Sequence, residues 1–373
     1  MSEESSGIRF QRPRIPSQTR IDSYFAQARE ARWFSNFGPC VSEFEQRVSR
    51  ELLSGFPVCS VGNATLGLMV ALRAVLGEPC AGRDRVLVPS FTFVGSLAAV
   101  VWSGFRPQFV DVDPDDWQPS PQSLRAAGND ERLAGALLTT TFGTPWTPDR
   151  ESEIRDALDD HSLPLVLDSA AGLGSCAPSG RTGSATVYSL HATKPFAVGE
   201  GGLICSPDSD VVRRSRQLSN FGFDEDHGLG AEVGINAKLS EIHGAIGLAV
   251  LDEFPTQLVQ RRNRALELLE EVSSYGLRPQ LGHARSTFQF LPMLCADHHH
   301  RATLLDLAQR SRVQVRAYFD PPMHRVPAFR ADVDGELPVT EDLAARIVCL
   351  PMADDLSEEE SAAIAAVCRR ARG

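Results

Sequence analysis

The chain has 373 residues, 42% of them hydrophobic and 23% charged, which excludes disorder, collagen and coiled coil and suggests two domains. Its 37 basic and 48 acidic side chains give a formal net charge of −11. That removes the global field that draws proteins onto nucleic acid or anionic membrane, while leaving room for a local basic pocket around a small phosphate.

Residues 1–30 are polar and read as an arm or short lead-in helix. From about residue 58, short β-type runs interleave with helical runs. The strands are expected at 86–89, 107–112, 135–141, 164–168, 185–190 and 202–206, and the helices at 64–76, 94–103, 120–127, 150–160, 208–218, 238–252 and 256–274. Such alternation implies a mostly parallel sheet covered on both faces. The long amphipathic run 256–274 is expected to bridge two domains. Beyond it come an apolar patch (288–295), a helix near 301–312, a strand-like VQVRAYF (313–319) and a closing helix, EEESAAIAAVCRRAR, with acids first and bases last. His298, His299 and His300 precede a helix without further ligands and read as a solvated turn rather than a metal site.

The eight cysteines form no C-x-x-C pair, so zinc and redox-motif readings fail and a reducing cytoplasm is expected. The opening MSEESSGIRFQRPRIP lacks the apolar core of a signal peptide, and the stretch Val94 to Trp102 is too short to span a bilayer. A soluble cytoplasmic enzyme is the expectation.

Four constellations could carry chemistry. Lys194 follows a β-type run and precedes a glycine-rich turn, with apolar Phe196, Ala197 and Val198 beside it; an amine desolvated there becomes nucleophilic. Asp168 ends the apolar run PLVLD, at the strand end that faces a ligand crevice in open α/β sheets, where it either caps the next segment or meets a cation. Val61 to Thr65 lead into a helical pattern whose first N–H groups can hold an anion; Ser189 and Asn236 could add donors. Pro89-Ser90-Phe91-Thr92-Phe93 places two aromatics at the end of a strand-like run, one expected for the core and one to stack on a flat ligand. G-x-G-x-x-G, P-loop, H-E-x-x-H and G-x-S-x-G signatures are missing. An amine, a carboxylate for a ring nitrogen, a phosphate cradle and a stacking aromatic are together what pyridoxal 5′-phosphate (PLP) requires.

Ala64-Thr65, PSFTFV, FVDVDPDDW, LDSAAGLGS, SLHATK with GEGG, and NAKLSEIHGAIGL occur in the order and spacing of the DegT/DnrJ-type sugar aminotransferases. SNFGPCVSEFE and RAYFDPPMHRVPAF are similar to that family too, and the resemblance covers about residues 30–373. It implies an α/β fold-type-I PLP-dependent transferase. A large domain, 31–250, would hold PLP on a mostly parallel seven-stranded sheet flanked by helices, followed by a smaller α+β domain, 251–373.

Residue by residue, the resemblance implies that Lys194 forms the Schiff base and shuttles the proton, and that Asp168 meets the pyridine nitrogen. It places Phe93 on the ring face, Ala64, Thr65 and Ser189 around the phosphate, and Asn236 on the partner subunit's cofactor in a homodimer with shared active sites. Two positions depart. Ala171 stands where the family has Gln or His beside the cofactor, and R-N-H-G reads Ser219-Asn220-Phe221-Gly222. Lys194 is retained where a related dehydratase branch carries His, which favours transamination. The implied reaction moves an amine from L-glutamate or glutamine to a nucleotide-linked keto sugar, a 4-keto-6-deoxyhexose, in a locally electropositive pocket, with no nucleic acid, membrane or metal involved. Tyr318, His324 and the 220–230 loop are candidates for the sugar pocket. A PLP enzyme of another reaction type, a non-catalytic PLP-binding regulator and a plain Rossmann-like binding protein are the alternatives.

Overall fold

The structure is a computed structural model and describes residues 7–178, 180, 184–224, 228, 230, 232–329 and 335–372. The first six residues of the expected arm and part of the 220–230 loop lie outside the described residues. In chain order the elements are α1 (Gln18–Ala31), α2 (Pro39–Leu52), β1 (Val58–Val61), α3 (Ala64–Leu76), β2 (Arg85–Pro89), α4 (Val94–Trp102), β3 (Arg106–Val110), α5 (Pro121–Ala127), β4 (Leu133–Thr139), α6 (Pro148–Asp159), β5 (Leu165–Asp168), β6 (Ala185–Ser189) and β7 (Gly202–Cys205). Then follow α7 (Ser209–Leu218), α8 (Glu241–Leu251), α9 (Phe254–Ser273), β8 (Arg278–Pro279), β9 (Leu291–Leu294), α10 (His298–Arg310), α11 (Pro338–Arg346), β10 (Ile347–Leu350) and α12 (Glu358–Ala371).

The main sheet has seven strands in the order β1-β7-β6-β5-β4-β2-β3. The pairs from β3 across to β6 are parallel, and β7 alone runs antiparallel to both its neighbours. This is the mostly parallel seven-stranded α/β architecture expected above. β2 and β5 read as nearly unbroken apolar runs because both faces are covered. Along β2, Val86 and Val88 enter the cluster under α3 and α4, while Leu87 enters the one under α5 and α6. Val166 against Leu165 and Leu167 in β5 repeats the alternation, the two-residue period of a strand.

A second, three-stranded antiparallel sheet, β10-β9-β8, carries α9, α10 and α12 on a separate apolar cluster. Helix α9 connects the two regions: Phe254 and Leu258 belong to the cluster around α2 and α8, and Ala265, Leu268, Leu269 and Val272 to the C-terminal one.

The described part of the arm is not all loop. α1 buries Ile21 and Ala28, and Ile8 and Phe10 pack into clusters built mainly by the C-terminal third. β1 is inconspicuous in the sequence because VCSV is four residues long and broken by a serine. VQVRAYF is not a strand. It makes single bridges, Val313 to Ile8 and Arg316 to Cys349, and two partners in different places cannot support one ladder.

Candidate active site

The candidate residues gather where β2, β5 and β6 end and α3 begins, the strand ends where ligands sit in open α/β sheets. Asn63 caps α3, its side chain accepting from the Leu66 N–H at 2.9 Å. The Ala64 and Thr65 N–H groups, in the same first turn, have no partner among the described residues. A Cβ on Gly202 would lie 2.9 Å from the Ala64 nitrogen, so glycine there lets β7 run directly beneath the helix end. Ser189, buried at the end of β6, accepts from the His191 N–H at 3.2 Å. Free amides, a dipole and a nearby hydroxyl make an anion cradle.

β2 ends in Pro89 and the chain bends over residues 90–92, so the two aromatics diverge instead of sharing a face as residues two apart on a strand would. Phe91 is 0% exposed among Phe142 and Phe319, whereas Phe93, at the N-cap of α4, is 59% exposed. A Cβ on Gly95 would sit 3.2 Å from the Phe93 ring and 3.5 Å from the Thr65 hydroxyl. The stacking surface and the anion cradle are therefore neighbours.

Asp168 is buried. Ser96 Oγ donates to its Oδ2 at 2.6 Å and the Ala170 N–H to its Oδ1 at 3.0 Å. Burial pushes this carboxyl upward, and the two hydrogen bonds and the Lys194 charge pull it back. Lys194 stands on the turn after β6, its N–H donating to the His191 carbonyl at 2.9 Å. The apolar residues that follow are core. Phe196 and Val198 are 1% exposed and join the cluster of α2 and α8, holding the turn rigidly beneath the amine. Burial lowers the Lys194 amine to about 8, against the raising effect of Asp168. The donor set therefore fits PLP: an anion cradle, an exposed flat ring, a buried carboxylate with both oxygens engaged, and an amine brought near neutrality.

The DegT/DnrJ/EryC1/StrS aminotransferase family matches the sequence over residues 17–369. The chain belongs to this family. It is 36% identical over 376 residues to Protein Rv3402c of Mycobacterium tuberculosis (strain ATCC 25618 / H37Rv), covering 98% of this chain and 90% of that one. It is 28% identical over 367 residues to the dTDP-4-amino-4,6-dideoxy-D-glucose transaminase of Escherichia coli, covering 93% and 94%. Among solved structures, DesI in the presence of its TDP-sugar product superposes with a TM-score of 0.87 at 31% identity, over 99% of this chain and 93% of that one.

Within this aminotransferase fold, the other candidates fall in distinct places. Asn236 is exposed on a strip bridged to Asn220, near exposed Phe221, Val233 and Ile235. The same strip is tied to the cradle, because the Gly62 N–H donates to the Ala237 carbonyl at 2.7 Å. The Ala171 methyl offers no hydrogen bond; its carbonyl accepts from Thr287 Oγ1 at 2.6 Å. His324 has both ring nitrogens engaged, with Ser90 Oγ at 2.6 Å and Glu341 Oε1 at 2.6 Å, which binds the 323–325 turn to the end of β2. Tyr318 lies half-buried among Phe10, Phe290 and Phe319.

Sequence reading missed Ser96, the donor to Asp168, and Gln289, the acceptor of Lys194 at 3.0 Å. A signal existed for the second: one glutamine interrupts the apolar run FQFLPML. Another signal was the scarcity of lysine. Lys194 and Lys238 are the only two among 37 basic residues. A cavity of about 290 Å³ adjoins Lys194, and Arg12, Arg14, Arg20 and Arg261 outnumber Glu253 and Asp354 on its walls. This is local positive charge in an acidic chain. No helix among the described residues is long and apolar enough to cross a membrane.

Proposed function

We propose that this chain is a cytoplasmic PLP-dependent aminotransferase that transfers an amino group from L-glutamate or glutamine to a nucleotide-linked keto sugar, a 4-keto-6-deoxyhexose. The observation that carries it is that Lys194, its amine lowered by burial, lies within electrostatic reach of the buried Asp168, beside a free helix N-terminus and an exposed Phe93. When bound, PLP supplies an aldehyde that an amine can engage and a ring that accepts electron density.

The chain's residues supply the rest. Ala64, Thr65 and Ser189 would hold the phosphate, and Phe93 would offer its exposed ring to the cofactor's face. Asp168, its carboxyl raised by burial and pulled back by Ser96 and the Ala170 N–H, would face the ring nitrogen and favour a proton there. Lys194, with its amine at about 8, takes a proton as base and returns it as acid near neutral pH. Asn236 reaches the partner subunit's phosphate site in a homodimer, a role supported by its exposure among apolar side chains. The basic cavity and the name of the Escherichia coli relative support an anionic dTDP-type sugar.

The test is a panel of keto-sugar nucleotides with glutamate and glutamine, read by product mass and 2-oxoglutarate release. Steady-state transamination by Lys194→Ala would overturn the assignment. Ala171 favours one other reading, a PLP enzyme of another reaction type such as a dehydratase. Sugar turnover without any amine transferred to the product would select it.

A further inference from the structure

Lys194 does not stand free. Its Nζ donates to Gln289 Oε1 at 3.0 Å, and the Gln289 amide nitrogen lies 3.5 Å from Thr193 Oγ1. Gln289 is 7% exposed, between buried Phe288 and Phe290, which anchor in two different apolar clusters. The backbone on either side is clamped. Arg261 donates from Nε to the Phe288 carbonyl at 2.8 Å and from Nη2 to the Gln289 carbonyl at 3.2 Å, while its Nη1 pairs with Asp354 at 2.5 Å. Just upstream, Thr287 Oγ1 donates to the Ala171 carbonyl, so one segment holds both the loop after Asp168 and the lysine itself. A buried amide costs free energy unless its polar atoms are engaged, and a leucine would fill this place in the apolar run without that cost.

We propose that Gln289 is a positioning residue for Lys194: its amide oxygen receives the Nζ whenever that amine is uncombined, setting the amine's direction and its readiness to exchange a proton. This rests on the reading of Lys194 as the cofactor lysine. A neutral acceptor orients a donor without the full negative charge that would hold the amine as ammonium. The charged groups around Lys194 are Asp168 on β5, His191 and Glu200 on its own turn, and Arg261 with Asp354 behind Gln289. Arg12, Arg14, Arg20 and Glu253 face it across the cavity. Of these, Asp168 is the one whose charge raises the Lys194 amine.

The experiment reads the amine directly. The full-length chain, freed of bound aldehyde with hydroxylamine, is pulsed with acetic anhydride from pH 6 to pH 11, and acetylation is followed by mass spectrometry. With only two lysines in the chain, Lys238 is the internal standard. Gln289→Glu is expected to raise the Lys194 midpoint by at least about one pH unit, the effect of an opposite charge at contact distance, slowing acetylation at pH 7 about tenfold. Gln289→Met removes the acceptor and is expected to quicken it a few-fold. Neither change should alter Lys238. Profiles of Lys194 that superimpose on wild type, in variants with wild-type near-UV circular dichroism, would overturn the role. If Gln289→Met does not fold, Gln289→Glu and Gln289→Asn carry the test. Borohydride reduction of the PLP-loaded wild type separates the two ideas. Cofactor fixed on Lys238, or on neither lysine, overturns the assignment of Lys194 and the positioning role with it. Cofactor fixed on Lys194 with unshifted profiles overturns the role of Gln289 alone.

Discussion

Replacing Lys194 by methionine should make the cofactor-free protein more stable at pH 7. Burial brings the amine from its ordinary 10.5 to about 8. Each pKa unit corresponds to about 1.4 kcal/mol, so carrying the charge costs the folded state up to about 3 kcal/mol. Methionine preserves most of the apolar stem but leaves Gln289 Oε1 without its donor, a loss of about 1 kcal/mol. The balance is a gain of about 2 kcal/mol. Below pH 8 both folded and unfolded chains carry the proton, so the gain is constant. Between pH 8 and 10.5 the folded wild type has released its proton and the unfolded chain has not, so wild-type stability rises with pH and the gain fades. Urea unfolding of both proteins at pH 7 and pH 10 measures this. A variant less stable than wild type at pH 7, or a difference that does not shrink toward pH 10, refutes the desolvated-amine argument on which the site rests.

Other consequences follow from the same geometry. Phe93→Ala should leave the urea midpoint nearly unchanged, because the ring is 59% exposed, yet weaken PLP binding about tenfold in a fluorescence titration through lost stacking. Phe91→Ala should behave oppositely, costing about 3–5 kcal/mol of stability for a fully buried ring. Asp168→Asn should lower kcat about 100-fold or more. It should also make Lys194 acetylate faster at pH 7, since the aspartate's charge is what raises the amine; an unchanged acetylation rate would show the two groups uncoupled. Glu241 is fully buried at the start of α8 and accepts from the Cys40 and Val41 N–H groups at 2.7 and 3.4 Å. Glu241→Ala should therefore cost about 1–3 kcal/mol by leaving those amides bare, and Glu241→Gln should recover most of it.

Much of the fold was legible because strands buried on both faces write continuous apolar runs. LAGALL and LVL declare β4 and β5 without any tertiary information. Short or unevenly paired segments do not. VCSV became β1 only by lying beside β7, and VQVRAYF, with better β propensity, stayed unpaired as a ladder because its two bridges go to Ile8 and Cys349. Propensity proposes a strand and an available edge decides it.

The site divides the same way. Lys194, Asp168, Phe93 and the start of α3 could be singled out as candidates from residue type, spacing and their positions after apolar runs, and the structure gathers them around neighbouring strand ends. What the linear sequence could not determine is who holds them. Ser96 is 72 residues from Asp168, and Gln289 is 95 from Lys194. Neither distance leaves a periodic trace, because these contacts are made by the packing of α4 against the strand ends and of the C-terminal segment against the turn after β6. The sequence by itself determined which side chains are candidates for the chemistry. The tertiary structure alone decided how dry they are and what each is bonded to, and burial and bonding set the proton affinities on which that chemistry depends.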